Sequence, residues 1–158
     1  YAALNGFEYN PPKQHPFNPL AALRLSLKPV SGADQHTVIS ALFEAGWSYG
    51  EDLGDLPTLV DLLVKQSIDG ETLSQKIADP QVKDALVNET NMAIEKGVFG
   101  VPTVIVDGNL FWGNDQMGHL ELLLSGQDPL DRDKLTALQN RPRAIDRKAF
   151  QEHGADGT

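Results

Sequence analysis

Apolar residues recur at helical spacing through most of the first hundred positions of the chain. Leu20, Leu23 and Leu27 lie three or four positions apart and follow Asn18-Pro19, a pair suited to the start of a helix. The same spacing predicts further helices over about 33–47, 55–64, 70–77 and 80–96. Since no strand pattern interrupts this stretch, residues 18–97 are predicted to form a helical domain.

Prolines and caps mark where these helices end. Lys28-Pro29 is predicted to stop the first helix, because proline does not continue a helix interior. Asp79 followed by Pro80 is the clearest helix start in the chain, and Gly97 stands where a left-handed C-terminal cap is expected. Upstream, the density of proline excludes a long helix or a central strand, so residues 1–17 are predicted to be a connector.

The hydrophobic period changes after Gly97. The segment 102–106 is apolar and β-branched at successive positions, which predicts a strand covered on both faces. Asp107-Gly108 predicts a tight hairpin turn, after which Leu110 to Trp112 return as the partner strand. A helix then runs to Gly126, so residues 98–126 are predicted to form a ββα unit. The remainder, residues 127–158, is predicted to be a short helix near 131–139 and a tail.

Composition narrows the class of protein. The chain has 158 residues, of which 41% are hydrophobic and 22% charged, as in an ordinary globular protein. Its net charge of −9 opposes binding to nucleic acid and to anionic membrane surfaces. No stretch reaches the ~20 apolar residues of a membrane span, and there is no secretory signal pattern. We therefore predict a cytoplasmic protein without a membrane or nucleic-acid partner.

Cysteine and histidine usage excludes several kinds of site from this chain. There is no cysteine, which removes disulfides, thiolate metal ligands and a cysteine nucleophile. The four histidines lie far apart and no pair has ligand spacing, so no metal site is predicted.

Candidate binding residues flank the predicted hairpin. The Val101-Pro102 bond is predicted to be cis, although only ~5% of such bonds are, and the Val101 backbone would then pair with an extended ligand. Asp115 is expected to cap the helix that follows the hairpin. Its carboxylate would also attract an ammonium group, while the helix start attracts a carboxylate. The combination suits the γ-glutamyl end of glutathione. Trp112 either lines this pocket or belongs to the core.

The run GVFGVPTVIVDGNLFWGND, followed by an amphipathic helix, resembles the 2-hydroxychromene-2-carboxylate isomerases. These enzymes are related to the kappa-class glutathione transferases and to the DsbA group of the thioredoxin superfamily. The upstream segment HPFNPLAALRL is similar as well, and the resemblance covers about residues 7–126. It implies an α/β thioredoxin-like fold of the DsbA/kappa type with a large helical insertion. The family's opening βαβ unit is expected to be absent from this chain.

The resemblance further implies glutathione as the cofactor, with a thiol that adds reversibly to a small aromatic-derived acid substrate. The family's catalytic serine belongs to the opening unit, so no catalytic residue is assigned in this chain. Many relatives carry arginine after the turn aspartate, where this chain has Gln116. The residues that the resemblance assigns to glutathione binding are Val101, Pro102, Trp112, Gly113, Asn114 and Asp115.

Three functions stay open at this point. The favoured one is a glutathione-dependent isomerase of the 2-hydroxychromene-2-carboxylate type, in the degradation of aromatic compounds. A DsbA-like thiol–disulfide oxidoreductase would need a Cys-x-x-Cys motif outside this chain. The third is a glutathione- or ligand-binding domain without catalysis. Because related proteins are often dimers, a homodimer is among the expected assemblies.

Overall fold

A computed structural model describes residues 2–141 of the chain. It divides into two compact units, with the boundary between Val98 and Phe99. The sequence also predicts a tail after the short helix near 131–139, and residues 142–158 of that tail lie outside the described residues.

The first unit is built from helices, and no strand occurs in its described residues, as predicted. It opens with a 3-10 turn at Ala3–Asn5 and a proline-rich stretch. The helices that follow are α1 (Leu20–Leu25), α2 (Lys28–Ser31), α3 (Gln35–Trp47), α4 (Leu56–Lys65), α5 (Gly70–Lys76) and α6 (Pro80–Glu95).

The first helix does end before Lys28-Pro29, but at Leu25, so Pro29 is not what stops it. Lys28–Ser31 instead forms a short helix of its own with Pro29 in its first turn. Proline is tolerated there because the N–H groups of a first helical turn have no acceptor within the helix.

Aspartates begin three of these helices. Asp55 and Asp69 each accept hydrogen bonds from the backbone N–H and the hydroxyl of the threonine three residues later, at 2.6–3.0 Å. The hydroxyl bonds, followed by the backbone bonds, hold the pKa of both carboxyl groups below the ordinary value. Asp79 caps α6 through the N–H of Gln81, and Gly97 adopts the predicted left-handed conformation after that helix.

The buried core belongs to the first unit. Leu25, Val38, Leu59 and Leu63 are fully buried, and each such side chain stabilises the fold by about 1.5–3 kcal/mol. Helix α6 contributes no buried residue. The other members of the core cluster are Ala22, Val30, Leu42, Ala45, Leu53, Ile68, Leu73 and Ile77.

The second unit carries an antiparallel hairpin of β1 (Thr103–Val106) and β2 (Asn109–Trp112), followed by helices α7 (Met117–Leu124) and α8 (Arg132–Gln139). Asp107 and Gly108 have φ values of 49° and 77°, the left-handed pair of a type I′ turn, as predicted.

The expectation that the first strand is covered on both faces is wrong. Ile105 is 37% exposed, and none of the described residues after Val98 is fully buried. In the described part of this unit β1 pairs only with β2, and α7 contacts β2. The strand β1 is therefore composed of apolar residues that its own unit buries only in part.

No helix within residues 2–141 combines the length and the apolar character needed to cross a membrane. In the same residues, no group of three or more histidine, aspartate or glutamate side chains is arranged to hold a metal ion.

The Asp69 cap gives a pH-dependent prediction. Asp69→Ala removes both hydrogen bonds to Thr72, so we expect a lower Tm at neutral pH. Because the pKa of Asp69 is lowered in the folded protein, its stabilisation is present above the unfolded pKa and is lost as the pH falls through the folded pKa. Thermal unfolding followed by circular dichroism should show a Tm difference that shrinks in acid.

Asp84→Ala serves as the control, because Asp84 is exposed within α6 and its carboxylate makes no hydrogen bond among the described residues. Its Tm should stay close to that of the parent at every pH. A Tm deficit of Asp69→Ala that persists in strong acid would contradict the capping assignment.

Candidate functional site

A backbone hydrogen bond joins the two predicted binding segments at the open end of the hairpin. The register places Thr103 opposite Trp112. One step further out, the N–H of Gly113 donates to the carbonyl of Pro102 at 2.9 Å. The Val101-Pro102 segment therefore lies beside the turn that follows β2, and the structure brings the sequence-predicted site residues together.

Val101 presents unpaired backbone groups at this edge. The Val101-Pro102 peptide bond is cis, as predicted. Val101 is 87% exposed, and neither its N–H nor its C=O makes a hydrogen bond within residues 2–141. Just before it, the carbonyl of Gly100 accepts a bond from the Thr103 hydroxyl at 2.6 Å. An extended ligand would find both a donor and an acceptor on Val101.

Trp112 lies at the surface and not in a core, since its side chain is 48% exposed. Its ring packs at 53° to that of Phe99, with 4.9 Å between the ring centroids. The indole also lies against Gly100, where an added Cβ would collide with the Nε1 atom of Trp112. Phe99 was not among the residues predicted from the sequence, although an aromatic residue next to Gly100 and three positions before Pro102 was an available signal.

Asp115 does not cap α7, the helix that follows the hairpin, so that expectation is wrong. Gly113, with φ of 93°, leads into a 3-10 turn at Asn114–Gln116, and α7 begins at Met117 without a side-chain cap. The Asp115 carboxylate turns back over Gly113, where an added Cβ would lie 2.5 Å from Oδ1. The backbone N–H of Asp115 makes no hydrogen bond among the described residues.

Gln116 and His119 extend this arrangement along the helix. The Gln116 Nε2 donates to Asp115 Oδ2 at 3.3 Å, and the Gln116 Oε1 lies 3.0 Å from His119 Nδ1. Both side chains also line an open cleft of about 640 Å³, whose apolar wall includes Phe111 and Leu122. The sequence singled out Gln116 only as a replacement for arginine, and its pairing with His119 was not predicted. The available signal was the i, i+3 spacing, which places two residues on one helical face.

These groups suit recognition of a small polar molecule. Val101 offers a backbone donor and acceptor, Asp115 offers an anionic carboxylate, and Trp112 offers an apolar ring. A ligand with a peptide group and an ammonium group would match the first two features.

Comparison with known proteins identifies the family. The model of the DSBA-like thioredoxin domain matches residues 1–125. The chain belongs to this family. The predicted α/β thioredoxin-like fold and the resemblance to the 2-hydroxychromene-2-carboxylate isomerases are confirmed by this match and by the individual relatives.

The chain spans about half the length of the curated isomerases it matches. It is 30% identical over 94 residues to the 2-hydroxychromene-2-carboxylate isomerase of Sphingobium xenophagum, covering 59% of this chain and 48% of that protein. It is 34% identical over 85 residues to glutathione S-transferase kappa 1 of Homo sapiens, covering 49% and 38% respectively.

A solved structure of a 2-hydroxychromene-2-carboxylate isomerase shares the fold. The TM-score is 0.68 at 24% sequence identity, over 79% of this chain and 61% of the isomerase.

The contact between Gly100 and Trp112 gives a second prediction. Gly100→Ala should push the indole off this position, shift the Trp112 emission to longer wavelength and cost about 1–3 kcal/mol of stability. The other tryptophan of the chain is Trp47, so the emission of Gly100→Ala and of its control is measured in a Trp47→Phe background.

Gly118→Ala is the matched control, because an added Cβ at Gly118 in α7 meets nothing within 4 Å. It should leave the Trp112 emission unchanged and keep or raise stability, since alanine favours helix. If both glycine variants behaved alike, the proposed packing of Trp112 on Gly100 would be wrong.

Proposed function

We propose that this chain is the glutathione-holding part of a glutathione-dependent isomerase that acts on 2-hydroxychromene-2-carboxylate or a similar aromatic-derived acid. The observation that carries the proposal is the hydrogen bond from Gly113 to Pro102, which sets Val101 beside the Asp115 turn. Similarity to proteins named as isomerases and as a kappa-class glutathione transferase supports both the cofactor and the reaction.

The residues present fit glutathione group by group. The unpaired N–H and C=O of Val101 would bind a peptide group of the tripeptide. The Asp115 carboxylate would bind the ammonium group of the γ-glutamyl end, and the unpaired N–H of Asp115 would donate to its carboxylate. Gly113 has no Cβ, which leaves room for the Asp115 carboxylate to turn back over it.

Glutathione, when bound, would supply a thiol that adds reversibly to a conjugated substrate and is released unchanged. This chain's own contribution is to hold and orient that cofactor. An oriented reactant has already lost its translational and rotational entropy on binding, which lowers the activation free energy of the reaction. Trp112 and Phe99 form a half-exposed apolar surface next to Val101, which would face the unsaturated part of a substrate.

The other two functions make different demands. A thiol–disulfide oxidoreductase would need its cysteine pair outside this chain, which contains none. A binding domain without catalysis would hold glutathione but leave the substrate unchanged. The binding domain without catalysis is separated from the isomerase in one experiment.

That experiment uses the purified protein, glutathione and 2-hydroxychromene-2-carboxylate. Calorimetric titration should detect glutathione binding, and the substrate absorbance should change only when glutathione is present. Binding without an absorbance change would favour the non-catalytic role. Absence of both would refute the proposal.

A substitution at Asp115 tests the assignment of the ammonium group. Asp115→Asn keeps the side-chain shape but removes the charge, so glutathione affinity should fall about tenfold, as expected for a lost charge-assisted bond. Asp107→Asn makes the same charge change at the hairpin turn, where Asn tolerates the positive φ, and should leave affinity within about twofold. Equal losses of glutathione affinity in both variants would mean that the effect comes from the change in net charge.

A further inference from the structure

The Asp115 carboxylate is held on two sides. On one side Oδ1 lies over Gly113, at a place where any side chain would collide with it. On the other side Oδ2 accepts a hydrogen bond from the Gln116 amide at 3.3 Å. Gln116 is itself tied to the turn, because its backbone N–H donates to the carbonyl of Gly113 at 3.2 Å.

The orientation of the Gln116 amide follows from its two partners. A carboxylate only accepts, so the amide nitrogen must face Asp115 and the amide oxygen must face His119. An amide oxygen also only accepts, so the His119 Nδ1 must carry the hydrogen. The three side chains therefore form a directed chain of donors from His119 through Gln116 to Asp115.

We propose that Gln116 and His119 are positioning residues that orient the Asp115 carboxylate toward the ammonium group of the ligand. The inference rests on the proposed function, since it concerns the same glutathione site. His119 fixes the amide of Gln116, and Gln116 fixes the carboxylate. Neither residue needs to contact the ligand.

The chemistry of Gln116 suits this role. A neutral amide donates to Asp115 without neutralising the charge of the carboxylate, which stays available to the ligand's ammonium group. By orienting the Asp115 carboxylate, Gln116 and His119 thereby favour ligands that place an ammonium group next to it. A ligand without that group gains nothing from a well-oriented carboxylate.

The test compares two ligands, glutathione and the analogue that lacks only its α-amino group. Gln116→Met keeps the side-chain length but removes both hydrogen bonds. We expect it to weaken glutathione binding roughly fivefold, the loss of one net hydrogen bond, and to change binding of the analogue by less than about twofold. Calorimetric titration of the purified protein measures both affinities.

His119 variants separate positioning from a loss of structure. His119→Leu should reduce the preference for glutathione over the analogue, whereas His119→Asn, whose amide nitrogen can take the place of Nδ1, should restore most of it. His36→Leu, at an exposed position in α3, is the matched control and should bind both ligands as the parent does. Circular dichroism verifies that each variant is folded.

A double-mutant cycle identifies the residue through which Gln116 acts. In an Asp115→Asn background, Gln116→Met should have no further effect on glutathione affinity. Additive losses, or equal losses for both ligands, would overturn the positioning role. In either case the parent protein would still bind glutathione and the proposed function would stand. If the parent binds neither ligand, the proposed function and this inference both fail.

Discussion

The hydrogen bond between the Gly113 N–H and the Pro102 carbonyl holds the candidate site together, and the hairpin register determines whether it forms. The left-handed Asp107-Gly108 turn has two residues, which pairs Val106 with Asn109 and so sets every later pair up to Thr103 and Trp112. A slip of one residue would turn all side chains of a strand to the opposite face. The turn at one end of the hairpin thus fixes the geometry of the candidate site at the other end.

The site depends on backbone geometry more than on burial. The fully buried residues lie in the first unit, while the described residues of the unit that carries the hairpin are at most partly buried. The geometry of the candidate site therefore depends more on two close contacts with glycine than on apolar packing. The Trp112 indole lies against Gly100, and the Asp115 carboxylate lies over Gly113, so each contact requires a residue without a Cβ.

Local signals in the sequence predicted the parts of the fold that local chemistry decides. The Asp79-Pro80 start, the Gly97 end and the Asp107-Gly108 turn depend on neighbours within a few residues, and all three are as predicted. The exposure of Ile105 was not predictable in this way, because the burial of a strand depends on which elements pack against it. Contacts such as Phe99 with Trp112 depend on side-chain rotamers, which spacing alone does not determine.

Asp115 shows how a failed local prediction bears on function. A capping aspartate directs its carboxylate to the N–H groups of its own helix, which occupies the acceptor and satisfies the donors. Here the carboxylate turns toward Gly113 and Gln116, and α7 begins without a side-chain cap. The anionic acceptor and the Asp115 N–H are both left for other partners. A residue that breaks a local rule in this way fits a binding site better than a purely structural turn.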